Sequence, residues 1–146
     1  MNLSLAIAAS VLLAVPLAYI CAETSLAAPA EKAQPRPFYC DQNALDPERR
    51  IRHFDVLGPA LVAKRTAVRE LPDGYEIGFP SDGETYRQLA EYVDAERLCC
   101  PFFDITLHVT PDGGPLWFRV AGRAGTKQFI EADASGWIKP VAAKKK

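Results

Sequence analysis

Cys99 and Cys100 adjoin one another in Glu96-Arg97-Leu98-Cys99-Cys100-Pro101-Phe102, and a third thiol, Cys40, lies far upstream. Soft cations such as Cu(I) and Hg(II) prefer thiolates, and two or three sulfurs satisfy their low coordination numbers. Structural zinc sites use ligand pairs spaced by two to four residues, a pattern that the adjacent pair, the single Cys40 and the imidazoles His53 and His108 do not reproduce. The residues therefore point to a site for a thiophilic metal or a thiol ligand, built from Cys40, Cys99 and Cys100 with Glu96 as a further ligand. The competing reading is a non-enzymatic structural or interaction domain stapled by a disulfide from Cys40 to Cys99 or Cys100. Such a bridge closes a loop of about 60 residues, worth on the order of 4 kcal/mol in chain entropy. A catalytic thiol is disfavoured, because the pair ends a helix, where the dipole and Glu96 both oppose thiolate and Arg97 alone favours it. No catalytic residue is assigned.

The pair must be positioned by the helix that precedes it. Ser81-Asp82-Gly83-Glu84 reads as a capping box with Ser81 as the cap, opening a helix that runs to about Leu98. Tyr86, Leu89 and Val93 form its apolar stripe, which extends by threes and fours to Glu96 and Cys100. A carboxylate in that stripe is expected to be partly buried and to need a partner, with Cys99, Cys100, Arg97 or a shared ligand as candidates. Pro101 pushes Cys100 out of helical geometry, which lets both sulfurs face one site. Cys40 reaches that site if a first strand passes the helix end.

Asp46-Pro47 caps an earlier helix, in which Ile51, Phe54, Leu57 and Leu61 recur at helical spacing up to about Ala67. Gly58-Pro59 predicts a kink or a break there, and His53 reads as a surface histidine. Val68 to Leu71 and Tyr75 to Phe79 flank the turn Pro72-Asp73-Gly74, while Phe103 to Val109 and Leu116 to Val120 flank a second Pro-Asp-Gly turn. A short helix from Thr126 to Ala134 presents Phe129 and Ile130. These elements predict a two-layer α+β fold, with an antiparallel sheet of about four or five strands and two or three helices on one face. Trp117, Arg119, His108 and Thr106 share the other face, where the first three are candidates for a partner surface.

With 146 residues, 49% of them hydrophobic, the chain builds one core and is too short for two. Its 17 Lys+Arg and 18 Asp+Glu give a net charge of −1, which lacks the basic footprint that nucleic-acid binding needs. Residues 3–22 are almost wholly apolar, and Ala28-Pro29-Ala30 supplies small residues at the positions a signal peptidase reads. The expected organisation is a signal peptide over 1–30, a tether over 31–37, a single domain over 38–138 and a basic tail over 139–146. A periplasmic or secreted location follows. The alternative is an uncleaved inner-membrane anchor through 3–22 with the domain exported. Cleavage removes Cys21 and leaves three cysteines, an odd number in an oxidising compartment.

The stretch from Cys40-Asp41 through Leu71-Pro72-Asp73-Gly74-Tyr75, Glu96-Arg97-Leu98-Cys99-Cys100-Pro101-Phe102-Phe103 and Gly114-Pro115-Leu116-Trp117 resembles a group of short uncharacterised bacterial proteins. Some of these are encoded near mercury or other heavy-metal resistance genes. The resemblance implies a small α+β fold and a thiol or soft-metal role. This chain departs from the group in its export segment and in Gly58-Pro59.

Overall fold

The computed structural model describes residues 37–141, so the predicted signal or anchor segment, most of the tether and residues 142–146 lie outside it. Asp46 opens α1 (Pro47–Ile51) by accepting the Arg49 N–H at 2.9 Å, with Pro47 at a position where no intrahelical donor is needed. The chain then passes through a π-helical turn (Arg52–Leu57) into α2 (Gly58–Lys64) without a break. Pro59 is the physical reason for the wide turn. Its ring crowds the carbonyl four residues back and it has no N–H. The Gly58 N–H instead bonds the His53 carbonyl five residues back, and Gly58 keeps helical angles of φ −53° and ψ −59°.

The wide turn replaces the expected kink and changes which residues face inward. His53, Leu57 and Leu61, spaced by four, are buried, while Ile51 of the expected stripe is 56% exposed. His53 is therefore not a surface histidine.

β1 (Ala67–Glu70) and β2 (Gly74–Phe79) form the first hairpin, and β3 (Asp104–Val109) and β4 (Leu116–Ala121) the second. The strands make one antiparallel sheet in the order β1-β2-β4-β3, at the lower end of the four or five expected. Between the hairpins runs α3 (Gly83–Cys99), followed after β4 by α4 (Thr126–Asp133) and α5 (Ser135–Ile138). The cap of α3 is Asp82, not Ser81: its carboxylate accepts both the N–H and the hydroxyl of Thr85 at 2.8 Å. Ser81 is diverted, donating its hydroxyl to the Gly113 carbonyl in the second hairpin's turn. The fold is α+β.

Leu57 and Leu61 from the first helical segment, Leu89 and Tyr92 from α3, and Ile130 from α4 pack against Ile77, Phe79, Phe118 and Val120 of the central strands. The other sheet face carries Trp117, Arg119, Thr106 and His108 in register. There the Arg69 guanidinium lies 3.6 Å from the centre of the Trp117 ring, leaving Trp117 8% exposed. Arg119 pairs with Asp73 at 2.9 Å, and His108 is exposed. No helix among the described residues is long and apolar enough to cross a membrane.

Candidate metal centre

The C-terminal turn of α3 carries Cys99 inside the helix, and Cys100 leaves it at φ −123° and ψ 61°, as the following proline requires. The Phe103 N–H closes the next turn on the Cys100 carbonyl at 3.1 Å. Cys40 comes from a loop and not from a strand, which corrects the expected placement. The Asp41 N–H bonds the Cys99 carbonyl at 2.8 Å, satisfying one of the free carbonyls of the helix end and holding Cys40 against it. Asp41 then caps a 3₁₀ turn (Gln42–Ala44) by accepting the Asn43 N–H at 3.1 Å. Leu45 and Ala95 pack with Cys99 and Cys100 into a small second core.

This packing brings the three sulfurs within 4.8 Å of one another. All three are free thiols, so the bridge that the stapled reading requires is not formed. Metal–sulfur bonds of about 2.3 Å set sulfurs about 4.0 Å apart around a trigonal ion and about 4.6 Å apart around a linear one. Both spacings fall within the 4.8 Å that encloses the three sulfurs.

A second set shares one member with the first. His53, Glu96 and Cys99 also bring one ligand atom each within 4.8 Å of the others. His53 Nε2 lies 2.9 Å from Glu96 Oε2, with the two residues 1% and 8% exposed. Nε2 faces the Glu96 carboxylate, and Nδ1 is buried without a hydrogen-bond partner. The imidazole stacks on Tyr92 at 4.2 Å and meets Phe54 edge-on at 4.6 Å. The Cys99 thiol donates to the Glu96 carbonyl at 3.6 Å and reaches Oε2 at 4.0 Å. Helix-to-helix ion pairs, Arg49–Asp94 at 2.7 Å and Arg52–Glu91 at 2.9 Å, hold the wide turn over α3.

The thiols differ sharply in acidity. Hydrogen bonds from Cys100 and then Cys99 hold Cys40 down at about 3, against the opposing effect of burial and with help from His53. Cys100 is pushed far up by its contacts with Cys40 and then Cys99, by burial and by the Glu96 charge. For Cys99, the contact with Cys100 pulls downward, yet the contact with Cys40, burial and the Glu96 charge together raise it. Cys40 is thus the most acidic of the three sulfurs. Sequence reasoning considered Cys99 and Cys100 as candidate nucleophiles and missed that the acidic sulfur is the one off the helix.

Glu96 is buried as its place in the stripe suggested, but its partner is His53. Arg97 turns instead to Asp94, at 2.6 Å. The stripe itself is rotated: Thr85, Leu89, Tyr92, Ala95 and Glu96 face inward while Tyr86 is exposed. Trp117, Arg119 and His108 lie on the sheet face away from the helical layer and are not part of the thiol cluster. Comparison with protein-family models, curated proteins and solved structures gives no match.

Proposed function

We propose that this protein is a small exported domain that binds a thiophilic metal ion of the Cu(I) or Hg(II) type through Cys40, Cys99 and Cys100. The observation that carries the reading is the convergence of three free sulfurs within 4.8 Å from two chain segments far apart in sequence. Packing alone does not require a thiolate at Cys40, and a soft cation uses one. Glu96, buried beside Cys99, balances the charge of an incoming cation and orients the site through His53. The resemblance of Glu96 to Phe102 to proteins encoded near heavy-metal resistance genes supports the same reading. Export rests on the apolar stretch 3–22 and the small residues Ala28 and Ala30.

The experiment is native mass spectrometry of the reduced full-length chain with Hg(II) or Cu(I) in the presence of competing glutathione. One ion is retained per chain, and Cys40→Ser, Cys99→Ser and Cys100→Ser each lose retention by at least about tenfold, or 1.4 kcal/mol. Retention that survives all three substitutions contradicts the proposal.

A further inference from the structure

A cleft of about 490 Å³ opens beside the thiols, with Cys40 and Cys100 in its wall. The rings of Phe38, Phe54, Phe129 and Trp137 form much of the rest. Past Tyr92 and Trp137 the cleft adjoins a smaller pocket of about 40 Å³ against Ile77, Phe118 and Val120 of the sheet. Polar side chains, among them Tyr39, Gln42, Glu96 and Asp133, share the lining about equally with the rings. Phe38 is itself fixed, meeting Phe102 edge-on at 5.2 Å and stacking on Phe129 at 6.3 Å.

A site built only for an ion has no use for this space. A water-sized guest needs roughly 10–15 Å³ and benzene is held in a cavity of about 150 Å³, whereas pockets for small organic ligands run from about 300 to 1,000 Å³. Cys40 and Cys100 line the cleft, so a group carried by an ion on those two sulfurs would have this space beside it.

We infer that the ligand is a soft metal cation already carrying one apolar, aryl-sized organic group, with the metal on Cys40 and Cys100 and the organic group among the rings. This rests on the thiophilic reading above and names its ligand class. One metal–sulfur bond forms for each sulfur that enters, a thiol releasing its proton to solvent and a thiolate releasing none. The carbon–metal bond stays intact and no electron is transferred.

The test uses the reduced full-length chain with phenylmercury and methylmercury cations, each in competition with glutathione and read by native mass spectrometry. The two probes have the same metal and the same charge, and differ only in the organic group. Phenylmercury is expected to be retained about tenfold more strongly, the ratio for burying about 60 Å² more apolar surface. Ala134→Phe, which fills the cleft from its wall, brings the ratio close to one while retention of bare Hg(II) changes by less than about twofold. Phe129→Leu serves as a second variant should Ala134→Phe fail to fold, and lowers the ratio without abolishing it. A ratio near one in the unaltered chain overturns the inference, as does a ratio that neither variant moves; in both cases the thiol site stands. Equal retention of all three mercurials by the unaltered chain and by Cys40→Ser and Cys100→Ser overturns the inference and the thiol site together.

Discussion

Cys40 is the most consequential side chain, because its charge is set by two neighbours that are themselves kept neutral. Its folded value of about 3 lies below the ordinary 9.0, so its contribution to stability is present above about pH 9 and is lost as pH falls through about 3. Cys99 and Cys100 are shifted the other way, and their contribution is present below the ordinary thiol range and lost as the solution becomes strongly alkaline. Cys40 is the sulfur most readily ionised in the reduced domain. Brief alkylation of the folded chain at about pH 5, followed by peptide mapping, is therefore expected to label Cys40 and spare Cys99 and Cys100; uniform slow labelling would contradict it. The His53–Glu96 pair has the other large energetic role. His53→Ala leaves a buried carboxylate without its donor and is expected to cost about 3–5 kcal/mol in urea unfolding, with Glu96→Leu in the same chain recovering much of that loss. Glu96 was legible in the sequence as a carboxylate inside an apolar stripe. Its partner was not, because the residue that faces it is chosen by a helical turn of unusual width.

That turn shows how backbone chemistry decides side-chain placement. Gly58-Pro59 was read correctly as a disturbance, but the helix absorbs it by widening the turn before the proline, with Gly58 bonded to His53. The widening moves His53 inward and Ile51 outward, and a count by 3.6 residues per turn does not anticipate it. The N-terminus of α3 carries a similar lesson. Four adjacent residues offered two capping oxygens, and the choice fell to Asp82 because the second hairpin's turn engages Ser81. Asp82→Ala is expected to lower the thermal midpoint clearly more than Ser81→Ala, as scanning calorimetry on both variants would show. The Thr85 N–H and hydroxyl hold the Asp82 carboxyl below its usual range, so this cap stabilises at neutral pH and weakens as acid protonates it. The end of α3 was more legible: Pro101 dictates where Cys100 leaves the helix, and that departure brings both sulfurs to one place.

The described domain is two hairpins joined through α3, with β2 and β4 at the centre of the sheet and the thiols at the C-terminal end of that helix. The alternating strands and their Pro-Asp-Gly turns made this α+β plan legible, since period and turn chemistry are local signals. The Cys40 loop and α5 were not. Cys40 is placed by the Asp41 bond to Cys99 across the fold, and α5 is only four residues long with Gly136 inside it. The loop is wedged further by Gly125, whose φ of +99° suits glycine and where a Cβ would lie 2.7 Å from the Phe38 ring. Metal captured by three converging sulfurs favours the folded chain, so Cu(I) at a hundredfold excess over Kd should raise stability by at most about 2.7 kcal/mol, less whatever the unfolded thiols bind, and a thiol chelator should remove the gain.

The most direct measurement is X-ray absorption at the metal edge of the full-length chain loaded with one equivalent of Cu(I). Three sulfur neighbours at about 2.3 Å, falling to two in Cys40→Ser, is the predicted result. Nitrogen or oxygen neighbours in place of sulfur, or a sulfur count that Cys40→Ser leaves unchanged, would contradict the three-cysteine site.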